Sequence, residues 1–217
     1  LSLPVLADGT GTSGEPVEVA NIDFAKKYQE LNLTQPTDAN GLENLGIGVA
    51  NKTSVKYQKA KAVLTADGLT FSSVNGVSLG TSLAGKTDYT VEATMKFDAS
   101  GDNCYLFFGF ANDKNGNGAW EIVNDGTNFR FSDGQMLFNA GYAFDNADNA
   151  KALKTAIRDE KKVASYRFVV EGGKLAKVIV SCGDVTVTYA NTDPASQISA
   201  EKGKFTLACR ADSNQVL

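Results

Sequence analysis

The chain has 217 residues and not one histidine. Histidine is the side chain that normally changes charge near neutral pH, and it is the commonest zinc ligand. Its absence excludes Ser-His-Asp and Cys-His catalysis within this chain, leaving acid–base chemistry to carboxylates, Lys or Tyr. Cysteine is scarce as well: 3 residues, Cys104, Cys182 and Cys209. An odd count with no CxxC pair is not a disulfide framework. Each sits in an apolar, strand-like run and reads as a buried free thiol. One bridge, Cys182 to Cys209, stays open if their strands are neighbours. With 21 Gly and 4 Pro the chain is neither collagen-like nor low-complexity. No apolar run approaches the ~20 residues of a spanning helix, so membrane insertion is not expected. The formal charge is -4 and no basic run occurs, so nucleic acid is not an expected partner. Binding a polyanion takes clustered Lys and Arg.

What is present is ordinary for a globular protein: 42% hydrophobic and 21% charged residues. The start, Leu1-Ser2-Leu3-Pro4-Val5-Leu6-Ala7, is apolar, with small or apolar Val5 and Ala7 where a signal peptidase reads its two specificity positions. A polar, Gly-rich stretch follows. Residues 1–20 therefore read as a leader or signal remnant with a linker; an edge strand followed by a loop explains the same residues. The leader reading places the protein outside the cell or on its surface. Residues 21–217 then form one domain.

Phe24, Tyr28 and Leu31 recur at helical spacing, so one short helix is expected near 23–31, capped by Asn21 or Asp23 and stopped by Pro36. From residue 53 onward the period is two. Ala62–Thr65 and Leu69–Ser72 flank Asp67-Gly68, a hairpin signal. In 89–97, Tyr89, Val91, Ala93, Met95 and Phe97 share one face, and Thr90, Glu92, Thr94 and Lys96 the other. Residues 104–111 are apolar on both faces and predict a central strand. Segments 120–123 and 129–132 flank Asn124-Asp125-Gly126, and 164–171 and 175–182 flank Gly172-Gly173, predicting two further hairpins. Residues 139–162 break the pattern and read as a long loop with a helical turn. Strands at 185–190 and 205–210 follow, and a last one begins at Gln215. Many short strands with Gly, Asn and Asp turns indicate an all-β, two-sheet antiparallel sandwich or a barrel.

The run Tyr89-Thr90-Val91-Glu92-Ala93-Thr94-Met95-Lys96-Phe97 resembles the strand that opens the best-preserved part of concanavalin A-like jelly rolls, laminin-G-like modules included. Ser165 to Leu175 resembles their paired strands around a Gly-containing turn, and Phe205-Thr206-Leu207-Ala208-Cys209 their penultimate strand. The resemblance covers roughly residues 55–217 and implies a concanavalin A-like jelly-roll sandwich. It implies one further closing strand, of which only the beginning is visible here; a truncated chain, or closure by another segment, is the expectation. The superfamily includes lectins, carbohydrate-binding modules, adhesion modules and glycosidases, and its members often carry a structural calcium ion.

Glycosidases need two carboxylates about 5–5.5 Å apart. The superfamily's Glu-x-Asp-x-x-Glu strand has no counterpart here, so no catalytic residue is assigned. Asp113, Asn115 and Asn117, in Asp113-Lys114-Asn115-Gly116-Asn117-Gly118, match the first half of a calcium loop. A polar hairpin loop accounts for them equally. For a glycan, period-two alternation frees Tyr105 from the Cys104/Leu106/Phe108 face, Arg130 from Phe129 and Phe131, and Arg167 from Tyr166 and Phe168. Trp120, the single Trp, adjoins the Asn-rich loop, and Tyr142 lies where it could cover one end of a groove. The expected site is thus Trp120, Tyr105, Arg130, Arg167 and Tyr142 across the concave sheet, against simple core packing of each aromatic. The expected function is a non-catalytic, lectin-like module that binds a polysaccharide or glycan within a larger extracellular protein. A protein-binding adhesion or structural module on the same fold is the alternative.

Overall fold

The computed structural model describes residues 5–7, 17–39, 42, 48–50, 62–72, 76–78, 83, 85–99, 105–111, 128–130, 136–138, 141–200, 204–209 and 213–216. In chain order the strands begin with β1 (Val5–Ala7), β2 (Val17–Ala20), β3 (Thr37–Asp38), β4 (Gly48–Ala50), β5 (Ala62–Thr65), β6 (Gly68–Ser72) and β7 (Gly76–Ser78). There follow β8 (Tyr89–Ala99), β9 (Tyr105–Ala111), β10 (Asn128–Arg130), β11 (Leu137–Phe138) and β12 (Ala143–Phe144). The last are β13 (Val163–Glu171), β14 (Lys174–Cys182), β15 (Val185–Ala190), β16 (Lys204–Cys209) and β17 (Ser213–Val216). The helices are α1 (Phe24–Glu30) and α2 (Ala147–Lys154), the second continuing as a π-helical turn, Thr155–Asp159.

The described strands form two sheets, and every pairing between them is antiparallel. The larger runs β12-β15-β14-β13-β8-β17-β6-β5-β3, with β1 attached to β8 and β2 to β1; the smaller runs β11-β10-β9-β16-β7-β4. Strand β8 organises the larger sheet. One of its edges pairs with β13 over Tyr89–Lys96, from Lys96↔Val163 to Tyr89↔Val170. Its other edge is shared: β1 pairs with Tyr89–Val91 and β17 with Lys96–Ala99. The short segment beginning near Gln215 is therefore an interior strand between β8 and β6. Strands β1 and β2 lie within 1–20, so Val5–Ala7 and Val17–Ala20 are sheet elements rather than linker.

Alternation decides what is buried. Val91, Ala93, Met95 and Phe97 of β8 are essentially solvent-free, as are Tyr166, Phe168 and Val170 of β13. From the smaller sheet, Leu106, Phe108 and Phe110, with Phe129, Phe205 and Leu207, meet them. The contact is aromatic: Phe168 lies 4.7 Å from Phe108 and 4.9 Å from Phe205, and Phe129 lies 5.2 Å from Tyr189, centroid to centroid. Burying such rings is the main stabilising term here, and Cys182 is a free thiol, so it forms no bridge to Cys209. The turns follow local rules. Gly172 and Gly173 (φ 56° and 74°) make the left-handed turn that joins β13 to β14. Asp23 caps α1 by accepting from the Lys26 N–H at 3.0 Å.

Where 139–162 read as a long loop with a helical turn, the structure has the full helix α2 and its π-helical continuation. Asn146 caps α2 by accepting from the Asn149 N–H at 2.9 Å. Ala150 and Leu153, then Ala156 and Ile157 of the π-turn, turn inward and are buried. Helix α2 rests on β15, where the Asn149 side-chain amide donates to the Thr186 carbonyl at 3.2 Å. The expected strand at 120–123 lies outside the described residues. Strand β10 pairs instead with β9 and β11.

Candidate functional site

Strands β9 and β10 bring Tyr105 and Arg130 together. They are direct partners in the ladder, beside Leu106↔Phe129. Because Leu106 and Phe129 point into the core, Tyr105 and Arg130 stand on the outer face of the smaller sheet. Arg130 is exposed and Tyr105 half-buried. The Tyr105 ring stacks on Phe107, two residues along the same face, with centroids 5.8 Å apart and planes at 27°. Phe107 is only 4% exposed, and Thr206, also on that face, is fully buried. The centre of this face is thus covered, whereas among the described residues the Tyr105–Arg130 end is accessible. An aromatic plate held by a second ring, with a guanidinium beside it, can pack against an apolar sugar face and donate hydrogen bonds to hydroxyls.

The structure does not bring the other described candidates to this place. Arg167 faces away from the core, as its alternation with Tyr166 and Phe168 predicts, but it belongs to β13 in the larger sheet. The whole core separates it from Arg130. There its Nε donates to Glu92 Oε1 on β8, its direct ladder partner. Tyr142 is not a groove cover. It is 6% exposed, its ring lies 4.6 Å from that of Phe138, and its hydroxyl donates to the Leu175 carbonyl and accepts from the Ile198 N–H at 3.2 Å. The segment that reads as an open loop is pinned by this pair of bonds. Trp120 and the calcium candidates Asp113, Asn115 and Asn117 lie outside the described residues. Among the described residues, no cluster of three or more His, Cys, Asp or Glu could hold a metal, and no helix is long and apolar enough to cross a membrane.

A concavity of a different kind lies at the α2 end of the sandwich. It separates α2 from the β14–β15 turn, Gly183-Asp184, and encloses about 680 Å³. Its helical wall carries Asp148, Lys151, Ala152 and Thr155, the i, i+3, i+4, i+7 positions of one stripe. That spacing was visible in the sequence, but nothing local showed which turn would face it. Compared with protein-family models, with curated proteins and with solved structures, the chain gives no match in any of the three.

Proposed function

We propose that this chain is a non-catalytic carbohydrate-binding module, built on a concanavalin A-like jelly roll and belonging to a secreted or cell-surface protein. The observation that carries the reading is the half-buried Tyr105 ring, backed by Phe107 and directly opposite the exposed Arg130. A polysaccharide lies along this end of the smaller sheet, one sugar face on Tyr105 and its hydroxyls toward Arg130. The glycan-contact reading of Trp120 and the calcium reading of Asp113, Asn115 and Asn117 belong to this proposal and fall outside the described residues. The resemblance of β8, β13, β14 and β16 to the laminin-G-like strand pattern supports the fold part of the proposal. The absence of histidine and of a paired-carboxylate strand supports a binding rather than a hydrolytic role. Affinity is modest, because an open face leaves much of the ligand in water.

The test is a glycan and insoluble-polysaccharide binding screen on the purified chain, repeated with Tyr105→Ala and Arg130→Ala. Each change should weaken retention by about tenfold or more, the worth of a hydrogen bond to a charged donor or of a lost packing face, with the melting temperature nearly unchanged. Retention that both variants leave intact, or no retention of any glycan, rejects the reading.

A further inference from the structure

Helix α1 ends in a left-handed cap. Leu31 closes the helix, and Asn32 follows it with φ 54°. The Asn32 N–H donates to the Gln29 carbonyl at 2.9 Å and the Leu33 N–H to the Tyr28 carbonyl at 3.3 Å. Two carbonyls that the helix leaves over are satisfied in this way. Leu33 then packs against the core cluster that contains Tyr28. Glycine fits the left-handed position best, and asparagine is its commonest substitute. The cap accounts for Asn32 and core packing for Leu33.

Neither accounts for Thr34. It completes Asn32-Leu33-Thr34, an Asn-x-Thr tripeptide with a residue other than Pro in the middle, the pattern read by N-glycosylating transferases. Asn32 and Thr34 are both exposed, while Leu33 between them is half-buried and anchors the segment. Among the described residues, no hydrogen bond holds the Asn32 amide group or the Thr34 hydroxyl. Residues 31–36 belong to neither helix nor strand, so an enzyme can engage them without breaking a ladder. The sequence holds a second such tripeptide, Asn51-Lys52-Thr53, which lies outside the described residues.

We propose that Asn32 is a modification site that accepts an N-linked oligosaccharide from a lipid-diphosphate donor. The side-chain nitrogen forms a bond to the anomeric carbon of the first sugar. The bond from that carbon to the diphosphate oxygen breaks, the lipid diphosphate leaves with the electron pair, and the nitrogen gives up one proton to a base of the transferase. The proposal rests on the secreted or cell-surface part of the reading above and is independent of its polysaccharide part. Helix α1 packs on β5 and β6 of the larger sheet, whereas Tyr105 and Arg130 belong to the smaller, so the oligosaccharide is not attached at the sugar-binding face.

The chain is expressed behind a cleavable leader in a eukaryotic secretory host and purified, folded, from the medium. Intact mass and peptide maps are compared before and after an amidase that removes N-linked glycans and converts the carrier asparagine to aspartate. The host supplies the compartment, so the result reads the acceptor itself. Finding the chain in the cytosol of its native cell would instead reject the secreted reading and leave the acceptor result standing. The peptide spanning residues 32–34 should carry an oligosaccharide that the amidase removes. Thr34→Ala should abolish that modification and Thr34→Ser should keep it, both with the melting temperature nearly unchanged, because Thr34 is exposed. Asn32→Gly should abolish it while keeping or raising the melting temperature, since glycine suits the left-handed cap. An unmodified 32–34 peptide in the folded, secreted chain overturns the proposal, as does a modification of that peptide that survives Thr34→Ala.

Discussion

Phe108 of β9 and Phe168 of β13 meet across the two sheets, their ring centroids 4.7 Å apart and both side chains shielded completely from solvent. Phe168 also touches Phe205 at 4.9 Å, so one side chain of the larger sheet joins two strands of the smaller. Phe168→Ala should therefore leave a cavity bounded by both sheets and cost about 3–5 kcal/mol. Phe168→Leu should cost less, since it keeps most of the volume. Chemical denaturation of both variants measures the difference, and a loss below about 1 kcal/mol for the alanine variant would contradict this packing.

Tyr142→Phe separates a core role from a ligand-covering role. The hydroxyl holds the Leu175 carbonyl and the Ile198 N–H, joining the segment before α2 to β14 and to the loop after β15. Its removal leaves those backbone groups without this partner and should lower stability by about 1–3 kcal/mol. Polysaccharide retention by the folded variant should be unchanged. Paired melting and retention assays read both quantities.

Tyr166→Phe should behave in the opposite way. The hydroxyl lies in the core without a hydrogen-bond partner, and burial pushes its pKa far above the ordinary phenol value. Deleting a desolvated, unpaired hydroxyl from a ring of unchanged shape should be neutral or stabilising. A destabilisation of more than about 1 kcal/mol would show that the hydroxyl has a partner, such as an internal water.

Asp88 links stability to acid. Its carboxylate accepts the Gly172 N–H at 2.9 Å and the Thr87 hydroxyl at 2.7 Å, and these bonds, the Gly172 one foremost, hold its pKa below the ordinary 3.8. A depressed carboxylate stabilises the fold fully above its unfolded pKa, and that contribution is lost as pH falls through the folded value. Melting temperature should thus begin to drop as pH falls below about 5 and go on dropping until pH passes below the depressed folded value, and drop less in Asp88→Asn, which has no charge to lose. Equal acid sensitivity in both proteins would assign the loss to other carboxylates.

Much of the local structure was legible in the residues. Asp23 capping α1, Asp67-Gly68 turning β5 into β6, and Gly172-Gly173 turning β13 into β14 all depend on neighbours within a few positions. The inward set of β8, Tyr89 to Phe97, follows from the pleat alone. The helical character of 147–159 was only half visible. Its mean hydropathy is low, and it is held by Ala150, Leu153 and Ile157 against strands far away in sequence.

Arg130 and Arg167 show where local reading ends. Each alternates with aromatic core residues, so the sequence by itself determined that both side chains leave the core. It did not determine which of two outer faces each would reach. That was decided by pairing: β10 joins β9 in the smaller sheet, and β13 joins β8 in the larger, so the two guanidinium groups point away from each other across the sandwich. Tyr142 makes the same point through burial, because the carbonyl that accepts its hydroxyl's hydrogen bond lies 33 residues further on. Alternation, turns and caps are set by dihedral preferences within a few residues of each position. Sheet membership and the burial of Tyr142 are set by contacts between segments that only the closing of two sheets over one core brings together.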